Sequence, residues 1–527
     1  MSVCRANKVA YQLDNGKVLF ENISFSVNSN RIGLLGRNGI GKSLLLSLIT
    51  GVNRPTKGHI KLTVSVAQYE QQPGEILSDQ RTIVQYLGLE PVLLALERIA
   101  AGECSAELFE QVGDHWQIEK QLAQQLGALG LPQDIHSPCS QLSGGQLTRL
   151  RLWCLFRSRA GFLVLDEPSN HLDGMGKRWL LDEIRQFPGH ILLVSHDRFL
   201  LREMEEIWEL SQLGLTRYGG NYDVYEREKS LVVSAVERQL NELNQEKKRL
   251  KSQVQNSREK AEKRVAQGNR VRKAGGQSKL LLDYQKNSAE AALSARRKQD
   301  AAQAKQLATK KATLQSKQDA LKTQTLALPE RLSAKGRLLT VSRIRLPYGC
   351  GQEISVQLSG TDKLHVQGNN GCGKSSLLKV IAGALQPLSG EVRLGGSVSY
   401  LDQDFASLDG NTSVLDHLLD ACPGMSETAA RTRLAGAGLE SDAVFKYVNQ
   451  LSGGEKMKLA VLMVSYQPGE RLLLLDEPDN HLDLDGKQVL ADALKQYQGA
   501  FIMVSHDNDF VKACGVNKGI TVADNKA

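Results

Sequence analysis

Gly36-Arg37-Asn38-Gly39-Ile40-Gly41-Lys42-Ser43 follows the apolar run Ile32–Leu35 and leads into the helix-like run Leu44–Ile49. It is the G-x-x-x-x-G-K-[ST] pattern in its strand–loop–helix setting. Gly36, Gly39 and Gly41 let the backbone turn tightly and point N–H groups at phosphate oxygens, and the following helix N-terminus favours anions. In this pattern Lys42 reaches the β/γ-phosphates and the Ser43 hydroxyl holds Mg²⁺. The pattern returns at Gly368-Asn369-Asn370-Gly371-Cys372-Gly373-Lys374-Ser375 after Leu364–Gln367, with Lys374 and Ser375 in the same places.

Working outward, four further elements recur in one order around each P-loop. Gln68 and Gln403 lie near the ends of short apolar segments. Leu142-Ser143-Gly144-Gly145-Gln146 and Leu451-Ser452-Gly453-Gly454-Glu455 each open a helix. Phe162–Leu165 and Leu472–Leu475 run into Asp166-Glu167-Pro168 and Asp476-Glu477-Pro478, each followed by an Asn-His-Leu-Asp segment. Ser195-His196-Asp197 and Ser505-His506-Asp507 close the two sets. The order predicts a tandem repeat of roughly 200 residues rather than a short-period solenoid.

The residue types explain the chemistry. A carboxylate ending a buried strand, Asp166 or Asp476, suits a hydrated Mg²⁺. Glu167 or Glu477, one residue on, can orient an attacking water or take its proton. His196 and His506 end another strand, placed either for a γ-phosphate or for ordinary hydrogen bonding. Ser-Gly-Gly at a helix N-terminus is a second anion-binding end.

Between the repeats the composition changes. Val233, Val236, Leu240, Leu243, Leu250 and Val254 follow three–four spacing, with Lys247 breaking the series, and Leu307, Leu314, Leu321 and Leu328 recur every seven residues before Pro329. This predicts an antiparallel helical hairpin with a coiled-coil seam, each ~40-residue arm reaching ~60 Å. Its turn, Arg258–Lys286, includes Arg264, Arg270, Arg272, Lys273 and Lys279. Residues 228–330 hold 23 Lys/Arg against 11 Asp/Glu, a surplus of twelve in a chain of net charge +8, so the remainder carries four negative charges. Such a distribution fits a polyanionic partner met by the hairpin, or else a solvated coiled coil.

The 527 residues predict three or four units, with 41% apolar and 24% charged residues as in globular proteins. The longest apolar runs are strand-sized, far from the ~20 residues of a membrane span. Met1–Arg5 shows no signal-peptide core, and eight cysteines occur without a CxxC pair. Both features predict a cytoplasmic setting with reduced thiols.

With P-loop, Gln, LSGGQ or LSGGE, DEP and SHD in order, the chain resembles the ATP-binding-cassette (ABC) ATPases. Two cassettes, no membrane span and Asn-His-Leu-Asp after both DEP motifs resemble the ABC-F subfamily in particular. The resemblance implies an α/β fold of two tandem P-loop ATPase domains, 1–227 and 331–527, joined by an α-helical linker, 228–330. It implies a monomer whose cassettes close head to tail over two ATP molecules with Mg²⁺. One site would join Gly36, Asn38, Gly39, Gly41, Lys42, Ser43, Gln68, Asp166, Glu167 and His196 to Ser452, Gly453 and Gly454. The other would join Gly368, Asn370, Gly371, Gly373, Lys374, Ser375, Gln403, Asp476, Glu477 and His506 to Ser143, Gly144 and Gly145. Mg²⁺ would fall to Ser43, Gln68 and Asp166, and to Ser375, Gln403 and Asp476.

Tyr11, 25 residues before Gly36, fits the family's adenine-stacking aromatic or a buried strand tyrosine; Tyr348 lies only 20 before Gly368. Ser169 and Asp479 stand where the family usually has Thr. From Lys42 to Ser143 there are 23 residues more than from Lys374 to Ser452, which leaves little room for the family's arm insertion. The implied partner is the ribosome, through rRNA and P-site tRNA. Two rival readings stay open: the ATPase subunit of a membrane transporter, which needs a membrane partner, and a DNA-repair or chromosome-associated ABC ATPase.

Changing both Glu167 and Glu477 to Gln is expected to lower steady-state ATP hydrolysis by ~10²–10⁴ while sparing ATP binding. Turnover and equilibrium nucleotide binding measured on the double variant check this.

Overall fold

In a computed structural model the chain forms two compact units, residues 1–222 with 323–527, and residues 223–322. The structure describes all residues except 1, 14, 15, 17, 71–80, 171, 274–278, 322–325, 327–335, 350, 403–407, 440, 467–470, 481 and 523–527. Gln403 therefore lies outside the described residues, as do Leu328 and Pro329 of the heptad series.

The first cassette opens with an antiparallel sheet in which β1 (Cys4–Gln12) sits between β2 (Val18–Val27) and β4 (Lys57–Leu62). Its main sheet has the order β5-β6-β7-β3-β8-β9, built from β3 (Arg31–Leu35), β5 (Val66–Tyr69), β6 (Phe162–Asp166), β7 (His190–Val194), β8 (Glu206–Ser211) and β9 (Gly214–Gly219). All its neighbours are parallel except β8 and β9. Ile32, Leu34 and Leu35 of β3 and the apolar residues of β6 and β7 are buried, as expected of strands covered on both faces.

This sheet order makes the site. Asp166 of β6 pairs with Val194 of β7, and Val194 pairs with Leu34 of β3. The C-terminal ends of three adjacent strands thus deliver the carboxylates, the histidine loop and the P-loop to one edge, where ligands bind in open α/β sheets.

The second cassette repeats the plan. β10 (Arg337–Arg345) lies between β11 (Ile354–Ser359) and β13 (Ser389–Leu394). A parallel sheet of order β14-β15-β16-β12-β17 contains β12 (Lys363–Gln367), β14 (Ser397–Leu401), β15 (Arg471–Asp476), β16 (Phe501–Val504) and β17 (Lys518–Thr521). The longer first cassette carries a short helix pair, Glu90–Ala100 and Ala106–Val112, packed through Ala95, Leu108 and Val112.

The second unit is dominated by two long helices, Tyr222–Lys273, whose first residue belongs to the first unit, and Lys279–Leu321. Val236, Leu240, Leu250 and Leu307 are buried there, and Val233, Leu243, Val254 and Leu314 half-buried. A groove bordered by Leu240 and Asn244 of one helix and Lys311 and Gln315 of the other places the two side by side. The first helix begins eleven residues before the predicted seam at Val233, because its first turns are not part of the seam repeat. No helix among the described residues is long and apolar enough to cross a membrane.

Trp208 on β8 is fully buried, its ring 4.9 Å from that of Phe25 on β2, and so links the two sheets of the first cassette. Trp208→Ala is expected to destabilise that cassette by about 3–5 kcal/mol, the usual cost of truncating a buried aromatic. Denaturant unfolding followed by circular dichroism measures it.

Candidate functional site

Each P-loop ends by capping a helix. Gly41 (φ 103°) and Gly373 (φ 102°) precede the helices Lys42–Thr50 and Lys374–Ile381 in left-handed backbone that a β-carbon would strain. At Gly373 a β-carbon would also come within 2.8 Å of the Tyr348 carbonyl oxygen. Lys42 Nζ donates to the carbonyl oxygens of Gly36 (2.7 Å) and Arg37 (3.3 Å), and Lys374 Nζ to those of Gly368 and Asn369 (both 2.9 Å). Both ammoniums are thereby held across their own loops. Burial lowers the proton affinity of Lys42, although Glu167, Asp483 and Asp166 oppose this.

Ser43 and Ser375 hydrogen-bond the carboxyls of Asp166 and Asp476, and Tyr400 also donates to Asp476 at 3.1 Å. Burial raises both aspartates above the usual carboxylate range. Glu167 and Glu477 share an unusual backbone, each with φ 49°, and their N–H groups donate at 2.9 Å to Val194 and Val504. A left-handed conformation in a non-glycine residue is costly and concentrates at functional sites. Here it recurs at the same place in both cassettes. His196 Nε2 lies 3.5 Å from Glu167 Oε1, and His506 Nε2 3.6 Å from Glu477 Oε1. Burial pushes Glu167 up to about 7 and also raises Glu477. The same cause, with the nearby P-loop lysines, lowers His196 well below its ordinary value and His506 to about 4. Both imidazoles are therefore neutral near pH 7.

Ser143 caps the helix Gly144–Phe156 by accepting from Gln146 N while the Gln146 side chain accepts from Ser143 N. Ser452 and Glu455 form the same reciprocal cap on the helix Gly453–Tyr466, and the Ser452 hydroxyl also donates to Glu455 at 2.7 Å.

These elements meet in one cavity of about 1170 Å³ between the cassettes. From the P-loops it is lined by Asn38, Gly39, Gly41, Lys42 and Ser43, and by Asn370, Gly371, Gly373, Lys374 and Ser375. From the rest it gathers Ser143, Gly144, Gly145, Ser452, Gly453, Asp166, Glu167, His196, Glu477 and His506. Gly36, Gln68, Gly368, Gly454 and Asp476 belong to the same elements without lining it. Tyr11 is half-buried against the core of its cassette and lines a separate cleft, whereas Tyr348, 69% exposed, lines the central cavity.

The donor set fits a nucleoside triphosphate with a hard cation. Gly39 (φ 77°) and Gly371 (φ 81°) face open space, Gln68 Oε1 and Asp476 Oδ1 are buried without a hydrogen-bond partner, and two helix N-termini and two ammoniums converge.

Reading the sequence alone missed the residues that join the cassettes. Asp173 Oδ1 accepts from Gly176 N of its own helix (2.8 Å), while Oδ2 accepts from Asn370 N of the opposite P-loop (3.3 Å). Asp483 does the same with Gly486 N (2.7 Å) and Asn38 N (2.9 Å). Their recurrence at the end of Asn-His-Leu-Asp was the available signal. Arg202–Asp509 (2.7 Å) and Arg198–Gln488 (3.2 Å) add contacts that no motif marks.

Fold and site together define a tandem P-loop ATPase. The family described as ABC transporter matches residues 20–170 and 352–480. YdiF of Bacillus subtilis (strain 168), named for ATP binding, is 31% identical over 97% of this chain and 78% of its own length. The energy-dependent translational throttle protein EttA of Mycobacterium tuberculosis (strain ATCC 25618 / H37Rv) is 30% identical, over 94% of this chain and 87% of its own. A solved complex of the archaeal ribosome recycling factor aABCE1 with the stalk protein aP1 shares the fold at TM-score 0.57 and 17% identity, covering 98% of this chain and 87% of that one. The chain is an ABC ATPase and belongs to the ABC-F subfamily.

Ser452→Arg puts a long cation where the second cassette's helix end meets the cavity. Its bulk blocks that helix end, and it is expected to weaken nucleotide held at Lys42 by about tenfold or more, the scale of one lost hydrogen bond to a charged group, and to spare the Lys374 site. Site-resolved photo-crosslinking of a nucleotide analogue distinguishes the two.

Proposed function

We propose that this ATPase acts on the ribosome in the cytoplasm, as a monomer whose linker hairpin contacts rRNA or P-site tRNA. The observation that carries the reading is the charge of the hairpin: residues 258–298 hold 12 Lys/Arg against 4 Asp/Glu, while the rest of the chain outside the linker is net acidic. Phosphate contacts from such a segment give RNA affinity through counterion release. The names of EttA, a translational throttle, and of the recycling factor that shares the fold support the same partner.

Within this reading the P-loop of each cassette and the Ser-Gly-Gly end of the other form one ATP site. ATP supplies the phosphoanhydride bond that is broken. Ser43, Gln68 and Asp166 would hold Mg²⁺ at one site, and Ser375 and Asp476, with Gln403, at the other, where the ion would offset the negative charge of the phosphates. Glu167 and Glu477 orient the attacking water and take its proton, while neutral His196 and His506 stand ready to hydrogen-bond the terminal phosphate. Asp173 and Asp483 tie each P-loop to the opposite cassette, so closure completes both sites together.

The test is binding of the Glu167→Gln, Glu477→Gln protein to purified ribosomes with ATP across a salt series. Neutralising Arg264, Arg270, Arg272 and Lys273 to Gln is expected to weaken binding, and each lost phosphate contact removes about 0.7–0.9 from the slope of log affinity against log salt. ATP binding should not change. Unaltered affinity and slope would leave the hairpin as a solvated coiled coil and remove the main support for this function.

A further inference from the structure

A cluster of buried charges lies between the two sites. Lys177, on the helix Gly174–Gln186, has its ammonium 2.7 Å from Asp197 Oδ2, and Asp197 directly follows His196. In the second cassette Lys487, on the helix Leu484–Gln496, lies 2.8 Å from Asp507 Oδ2 and 3.7 Å from Asp479 Oδ2. Asp507 directly follows His506. The three aspartates and Lys487 are buried, and the Lys177 side chain is 14% exposed. Both lysines line the central cavity together with Glu167, His196, Glu477 and His506.

The pairs are not confined to their own cassettes. Lys487 acts on Glu167 and His196 of the first cassette, favouring the ionised carboxylate and the neutral imidazole. Lys177 acts in the same sense on His506 of the second. The two ammoniums repel each other, Asp479 attracts Lys177, and Asp197 attracts Lys487. Each lysine is thus bonded to the aspartate behind its own cassette's histidine while its charge is felt at the other's. Fields of this kind reach further in a buried site than in water, because little solvent screens them.

We propose that Lys177 and Lys487 are positioning residues acting in trans: each holds its own histidine loop through an aspartate and adds its charge to the opposite cassette's end of the shared cavity, Lys487 at Glu167 and His196 and Lys177 at His506. Hydrolysis at one site then depends on how the other cassette is packed against it. The cluster is asymmetric. Ser169, whose hydroxyl lies 3.3 Å from that of Ser195, stands where the second cassette has Asp479, so two ammoniums share three carboxylates. Lys487, with two of the three, is the better-anchored arm.

The proposal rests on the two ends of the cavity being separate hydrolytic sites. Glu477→Gln protein keeps only the Lys42 site and Glu167→Gln protein only the Lys374 site; if the double variant still turns over, that reading fails and the proposal falls with it. In the Glu477→Gln background, Lys487→Met is expected to lower kcat at the Lys42 site about five- to tenfold, the lower range of typical coupling between sites. KM for ATP should stay within about twofold, since the lost cation bears on Glu167 and His196 rather than on the P-loop. Lys487→Arg, which keeps the charge, should restore turnover to within about twofold of the Glu477→Gln parent. Should Lys487→Met misfold, Lys487→Met with Asp479→Ser removes an unpaired carboxylate and is expected to show the same loss. Turnover at the Lys42 site unaffected by Lys487→Met or by the pair of changes, or an Arg variant as impaired as the Met one, would overturn the proposal.

Discussion

Two aspartates hold this architecture at its centre. Asp173 and Asp483 each give one carboxylate oxygen to the N-terminus of their own helix and the other to a backbone N–H of the opposite P-loop. The first bond is ordinary helix capping, worth about 0.5–2 kcal/mol. The second uses the same side chain, already ordered by the first, so the contact across the cassettes forms with little further loss of side-chain entropy. Asp173 is steadied again by Arg149, whose guanidinium lies 2.7 Å from Oδ1. Because the P-loops are what the aspartates grip, the geometry of each phosphate-binding loop is linked to the seating of the other cassette.

Around that link the site combines groups that burial pulls in opposite directions. Desolvation raises the carboxyls of Glu167, Glu477, Asp166 and Asp476 and lowers the imidazoles of His196 and His506. Both effects disfavour charge, as burial must. The lysines counter it for the carboxyls and reinforce it for the imidazoles. A carboxylate poised near neutrality beside a neutral imidazole is suited to passing a proton, and environment rather than residue type creates it. The positive φ shared by Glu167 and Glu477 aims both carboxylates from the ends of their strands. The parallel register of β6, β7 and β3 brings the histidine and the P-loop to the same edge.

The two halves are similar without being equivalent. Gln146 completes one signature cap and Glu455 the other. Ser169 faces Ser195 in one cassette, whereas Asp479 joins a buried ion cluster in the other. Asn480 donates to Glu477, while in the first cassette it is the backbone of His196 that bonds Glu167. Sites built from such different neighbours have no physical reason to turn over at equal rates.

The sequence by itself determined the tandem repeat, the phosphate-binding loops, the buried strands ending in carboxylates and the two-armed helical linker. Each is a local pattern: glycine spacing, apolar runs and seven-residue periodicity report on backbone a few residues away. The seam residues Leu240 and Leu307 are buried as their periodicity requires. Only the tertiary structure decided which tyrosine reaches the cavity, since Tyr11 lies within β1 and faces a separate cleft, whereas Tyr348 lies in the bend after β10 and lines the central cavity. It alone brought Asp483 to Asn38, 445 residues apart, and set Arg202 against Asp509. Such contacts depend on how two separately folded sheets are apposed, and no spacing within one chain segment encodes that.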